Sequence, residues 1–308
     1  MIQNFEKDLK NIEQQINIIS GANLQLIPHT TIKNNSQEKQ GIIVKMPGVD
    51  VNPIVYMDDI LNRLSEDTSQ IAREILNLCA NLKQQDWWKN KDYLISDYES
   101  VRKKIALKLV NTKLNEKLLG DAPSRNFLDL SLLYEIVIET TEEGKASILV
   151  RNEILKMWGV EETTLWEDAI KNTQKLFPEK LSSINDILAE SLSEGYTAYS
   201  AKNLFDNKNP NPKLEGMYVL TNLQRSNGAT VIVYPGMLEK IGQFIGKNYC
   251  ILPSSTEELI VIPFASEINT EELNEMIREI NQTQVKEEER LADHCYLYIR
   301  ERKELVIP

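Results

Sequence analysis

Along the first twenty positions Phe5, Leu9, Ile12, Ile16 and Ile19 recur at steps of three and four, with Glu6, Lys7, Lys10 and Gln14 on the other side. That is the period of an amphipathic helix, and Gly21 suits its end. The pattern then turns β-rich. Leu24 to Ile32 and Gly41 to Met46 are joined by the polar turn Asn34-Asn35-Ser36, and a short stretch, Ile54-Val55-Tyr56, follows. These read as strands. Helices are expected over about Met57 to Leu64 and after Thr68, the second with Ile71, Ile75, Leu78 and Leu82 on one face. A long helix is predicted from Asp97, with Val101, Ile105 and Leu109 in line. Next come strand-like stretches over Phe127 to Glu139 and Ala146 to Val150, flanking the turn Glu142-Glu143-Gly144. Three helices complete this part. One runs from Asn152, a good cap, to Trp158-Gly159; the others cover Glu162 to Leu176 and Ser182 to Leu192.

The run Asp206-Asn207-Lys208-Asn209-Pro210-Asn211-Pro212-Lys213 can neither continue a helix nor join a central strand. It is read as a linker over 206–213. An N-terminal region, 1–205, precedes it, divisible near residue 95, and a C-terminal domain, 214–308, follows. In that domain Met217 to Thr221 and Ala229 to Tyr234 flank Ser226-Asn227-Gly228, and Asn-Gly is a strong hairpin signal. Pro235 opens a helix that Gly246 closes. A second hairpin is expected from Asn248 to Ile262 around Pro253-Ser254-Ser255-Thr256. A capped helix begins at Asn269-Thr270, and a third hairpin covers Cys295 to Ile307. The order ββα-ββα-ββ implies an α+β fold, with antiparallel sheets built from β-hairpins and covered by helices. Hairpin-then-helix order near residues 24, 127 and 217 suggests repetition, but the three segments share little residue identity and no fixed period.

Composition narrows the function classes. The 308 residues are 42% hydrophobic with a net charge of −11, an ordinary soluble globular profile in which phosphate-rich partners would be repelled. No apolar run approaches the roughly 20 residues of a membrane span, and the start lacks a secretory pattern. Three cysteines, Cys79, Cys250 and Cys295, form no disulfide framework and point to a reducing, cytoplasmic setting.

Candidate chemistry is sparse. No phosphate-binding glycine loop, zinc-hydrolase motif or nucleophile elbow occurs, and no cofactor or metal site is expected. With only His29 and His294, histidine acid–base catalysis is disfavoured. His294 and Cys295, as strand neighbours, should face opposite ways, leaving the cysteines as core hydrophobes. Asp58-Asp59 reads as a helix-start pair. The loop Ser254, Ser255, Glu257 and Glu258 could bind a polar ligand or, with Glu258 as base and Tyr234 nearby, act as a hydrolase. Its plainer reading is a turn held by hydroxyl-to-backbone bonds. Trp87-Trp88, in a polar setting, could be a partner anchor or the lid of a core edge, and Trp166 is a further partly exposed aromatic candidate. Arg102, Lys103, Lys104 and Lys108 make one helix face basic, which is most simply a solvated surface.

Met217-Tyr218-Val219-Leu220-Thr221-Asn222, Asn227-Gly228-Ala229 and Ile251-Leu252-Pro253-Ser254-Ser255 resemble a bacterial family known only as a domain of unknown function. Asn115, Leu118-Leu119, Pro123, Asp129-Leu130, Asn152, Trp158, Ala169 and Asn172 follow in the same order, so the resemblance runs nearly the full length. In that family the proline-serine-serine turn is often followed by an apolar residue, His and Glu, where this chain has Thr256, Glu257 and Glu258. The resemblance implies no activity, substrate or cofactor. Taken together, the expectation is a non-catalytic protein that binds another protein, with a ligand-binding or hydrolytic Pro253-Ser254-Ser255 loop as the alternative.

Overall fold

The structure is a computed structural model that describes residues 2–47, 52–56, 67–85, 95–141, 144–191, 201–206, 216–253, 255–265 and 268–308. It is α+β throughout, as the pattern predicted, and divides into two compact units. The first is Met1–Lys33 with Gln37–Ser100; the second is Asn34–Ser36 with Val101–Pro308.

In the first unit, helix α1 (Ile2–Ser20) and helix α2 (Thr68–Gln84) pack with an antiparallel sheet of β1 (Gln25–Ile32), β2 (Glu38–Lys45) and β3 (Ile54–Tyr56). The helical period places Leu9, Ile12 and Ile16 of α1 against Ile71, Ala72 and Ile75 of α2, over Leu26, Ile42 and Val44 of the sheet. Cys79, rather than the half-exposed Leu78, fills the next inward position of α2. Asp67 caps α2 by accepting from the Ser69 N–H. The Asn17 side chain clamps the turn into β1 by bonding both the N–H and the carbonyl of Leu24. The helix expected over Met57 to Leu64 lies outside the described residues.

Among the described residues the second unit contains two antiparallel sheets. The smaller is built on the long strand β6 (Leu130–Thr141). Strand β4 (Ile105–Asn111) pairs along one edge, while β5 (Ser124–Phe127) and then β7 (Gly144–Leu149) pair along the other. Ile105–Asn111 had been expected to continue a helix. It is instead a strand whose residues are nearly all buried, and such a continuous apolar run carries no period that separates strand from helix. Its outward amides are satisfied by hydroxyls, the Leu107 N–H by Thr173 and the Leu109 N–H by Thr230, so the edge is closed to further pairing. Thr173 belongs to helix α4 (Glu162–Leu176), which follows helix α3 (Asn152–Trp158).

The larger sheet has the order β13-β12-β10-β11-β9-β8. Its strands are β8 (Glu179–Ser183), β9 (Tyr218–Asn222), β10 (Tyr249–Leu252), β11 (Leu259–Pro263), β12 (Tyr296–Ile299) and β13 (Glu304–Val306). Helix α5 (Ile184–Ser191) follows β8, helix α6 (Met237–Ile245) precedes β10, and helix α7 (Thr270–Thr283) separates β11 from β12. Two expectations fail here. The boundary at 206–213 falls inside this unit, because β8 and β9, on either side of it, pair from Glu179↔Asn222 to Ser183↔Tyr218. The hairpin expected around Asn227-Gly228 is absent, because Gly228–Val233 forms a 3-10 helix. Gly228 is needed for closeness: a Cβ there would lie 2.0 Å from Thr221 Oγ1 and 2.2 Å from the Glu257 carbonyl. The hairpin β10–β11, the capped helix α7 and the hairpin β12–β13 are as predicted.

Candidate functional site

Three chain segments converge in the second unit at the turn before β6, the end of β4 and the approach to β12. Amide side chains hold them in place. Asn111 donates to the Leu291 carbonyl at 2.8 Å and accepts from the Leu114 N–H. Asn281 of α7 bonds the Ala292 carbonyl and Asp293, and Asn274 accepts from the Cys295 N–H. Asn115, fully buried, exchanges hydrogen bonds with Asn35. A site on segments fixed in this way keeps its geometry without a ligand.

Asp129 is the centre of the cluster. Its Oδ1 accepts from the Tyr296 hydroxyl at 2.7 Å, and its Oδ2 lies 3.4 Å from His294 Nε2. The second contact is an ion pair rather than a well-aligned hydrogen bond. The His294 ring stands edge-on to Tyr296, with centroids 5.1 Å apart. Burial pushes the Asp129 carboxyl upward, but the His294 and Tyr296 contacts outweigh it and hold the group below the usual carboxylate range. The facing carboxylate raises His294, against the opposing effect of burial. Burial, and then the bond to Asp129, raise the Tyr296 phenol. Asp129 and His294 open onto a cleft of about 570 Å³ that also presents Asn111, Lys113, Glu116 and Asp293.

Such an arrangement can orient an imidazolium, offer hydrogen bonds and present both signs of charge to a small molecule. The Thr112 hydroxyl on the cleft wall is engaged with the Ser131 hydroxyl at 2.8 Å, which ties down a nucleophile candidate. Among the described residues no group of three or more His, Cys, Asp or Glu is placed to hold a metal.

The residues singled out by sequence fare unevenly. Trp87, Trp88, Ser254 and the pair Asp58-Asp59 lie outside the described residues. Ser255 Oγ accepts from the Glu257 N–H, the turn-stabilising bond of the plainer reading, and Ser255 bridges to Arg290. Glu257 is drawn inward. Its carboxylate accepts from the Asn227 N–H at 2.9 Å and from the Thr256 hydroxyl at 3.1 Å. Burial raises its carboxyl despite those bonds. Glu258 is exposed and Tyr234 is buried, its hydroxyl donating to the Phe177 carbonyl at 2.8 Å. Neither comes together with Ser255 as a base–nucleophile pair. The basic residues do not share a helix face: Arg102, Lys103 and Lys104 form a 3-10 turn, with Arg102 paired to Asp168, and Lys108 is on β4.

Cys250 and Cys295 are fully buried, in one core cluster with Leu252 and Ile277. The hydrogen bond between the two thiols, and then burial, push Cys250 well above the ordinary thiol range. Cys295 thus faces the core while His294 faces Asp129, but both precede β12, which begins at Tyr296, so the strand alternation expected of them is not what separates them. What sequence reasoning missed was the partner of His294, which is 165 residues away. A signal was present only in Asp129-Leu130, among the fragments of the family resemblance.

The fold and the cleft define an α+β protein whose second unit joins two antiparallel sheets and carries a cleft with charges of both signs, three acids facing Lys113 and His294. The chain belongs to the family of unknown function DUF5688, which it matches over residues 3–300. No curated protein and no solved structure matches it. Among the described residues no helix is long and apolar enough to cross a membrane.

Proposed function

We propose that the second unit binds a small zwitterionic molecule in the Asp129–His294 cleft, and that its work is recognition rather than turnover. One observation carries this reading: Asp129, fixed by the Tyr296 hydroxyl at 2.7 Å and facing His294 at 3.4 Å, stands on the wall of an open cleft. Lys113 and His294 supply positive charge to that cleft, while Asp129, Asp293 and Glu116 supply negative charge. A ligand carrying both an ammonium and a carboxylate suits this mixture of signs, since each charged end would find an opposite partner. A bacterial, cytoplasmic setting belongs to the same reading, in keeping with three buried free thiols.

Calorimetric titration of the full chain with glycine, alanine, lysine, glutamate and γ-aminobutyrate tests the proposal. At least one should bind saturably. His294→Gln should weaken it about tenfold, the worth of one hydrogen bond to a charged group. Absence of binding across this set, or affinity unchanged by both His294→Gln and Asp129→Asn, would refute it.

A further inference from the structure

A second cavity, of about 430 Å³, lies in the same unit and is lined by Arg125, Phe127, Trp166, Tyr298 and Lys303 among others. Charged and aromatic contacts fix the position of Arg125 in its lining. The Arg125 guanidinium lies over the Trp166 ring, 4.4 Å from the centroid. Glu162 grips it through two hydrogen bonds, from Nε at 3.2 Å and from Nη2 at 2.9 Å. The Tyr134 hydroxyl donates to the same carboxylate. The grip, with Tyr134 adding to it, raises Arg125 further above its already high value, against the opposing effect of burial. Glu162 is therefore fully engaged, and it takes Arg125 by Nε and Nη2, which leaves Nη1 outside that grip. At the rim Lys303 pairs with Glu239 at 3.2 Å, and its side chain is 66% exposed.

A planar cation locked over an indole, with one N–H edge left open beside aromatic walls, suits a ligand with a flat ring and a single acidic group. The ring would pack on Phe127, Trp166 and Tyr298, burying apolar area, while the acid would accept from Arg125 Nη1 in a charge-assisted bond. We propose that this cavity is a separate binding site for aryl carboxylates. It shares no lining residue with the Asp129–His294 cleft and does not depend on the reading given for it.

The probe is 4-fluorophenylacetate, added to the full chain and followed by fluorine NMR. Its neutral analogue 4-fluorophenylacetamide and plain acetate serve as the other arms. Saturable broadening is expected for the aryl acid, with affinity about tenfold above the amide and no saturation by acetate. Trp166→Leu should abolish the effect, and Lys303→Gln, a change at an exposed rim position that spares the fold, should weaken it about threefold. His294→Gln should leave it unaltered, which separates the two sites. Equal affinity for acid and amide, or binding insensitive to both Trp166→Leu and Lys303→Gln, would overturn the proposal.

Discussion

Replacing Lys145 with Met removes the cation from one of the most enclosed ion pairs in the second unit. Lys145 Nζ meets Glu135 Oε1 where the two side chains are only 6% and 5% exposed. After the substitution Glu135 keeps, among the described residues, the Ser147 hydroxyl at 2.9 Å and the Asn227 amide at 3.2 Å. The nearby Glu257 loses a charge that lowers its pKa. Removing one member of a buried pair costs about 3–5 kcal/mol, because the other charge stays desolvated without its partner. With a urea slope of about 2 kcal/mol/M, the unfolding midpoint should fall by roughly 1.5–2.5 M. Fluorescence in a Trp87→Phe/Trp88→Phe background would report the second unit, which holds Trp158 and Trp166. The double variant Glu135→Leu/Lys145→Met should recover most of the loss. Among the described residues it leaves the Ser147 and Asn227 donors unpaired, at about 1–3 kcal/mol, whereas an isolated charge costs more. A single variant within about 1 kcal/mol of the native chain, or a double variant no better than the single, would refute the reasoning.

Four other outcomes are expected. Gly228→Ala should destabilise the second unit by about 3 kcal/mol or more in the same titration, since its Cβ would overlap Thr221 and the Glu257 carbonyl. Asp129→Asn should bring the His294 pKa down toward its ordinary value, read from its imidazole proton shifts against those of His29. In the native chain the raised His294 contributes stability that is full below about pH 6.5 and is lost as pH rises through the higher folded value. Glu257, raised by burial, works in the opposite sense to a salt-bridged acid. Stability should fall as pH climbs from its unfolded value near 4.5 through the higher folded one, and Glu257→Gln should flatten that slope in urea melts. Trp87→Ala/Trp88→Ala should weaken retention of a co-purifying protein while the melting temperature holds. A large drop in melting temperature would show that both residues are core.

Local periodicity was enough to place α1, α2, α3, α4 and the hairpins β1–β2, β10–β11 and β12–β13. Each is decided by which side of a short segment meets water. Asn269 and Asp67 cap their helices by bonds that span two residues, and such short-range chemistry is written in adjacent letters. Cys295 and His294 do point apart, one toward Cys250 in the core and the other toward Asp129, but they lie in the approach to β12 rather than on the strand from which alternation was argued.

Long-range pairing decided the rest. Ile105–Asn111 is a strand because β6, Thr173 and Thr230 supply its hydrogen-bond partners from elsewhere in the chain. Gly228–Val233 winds as a 3-10 helix after a left-handed Asn227, with Thr221 and the Glu257 carbonyl packed against Gly228 where no Cβ would fit. The proline-rich run at 206–213 does not divide the unit, since β8 and β9 pair around it. Both cleft and cavity are assembled from side chains whose meeting depends on sheet order, which no local pattern encodes. Residue order could therefore name the elements and the polar groups available. Only the packed sheets determined that Asp129, Tyr296 and His294 stand together, because a pairing energy acts between segments and leaves no mark within either one.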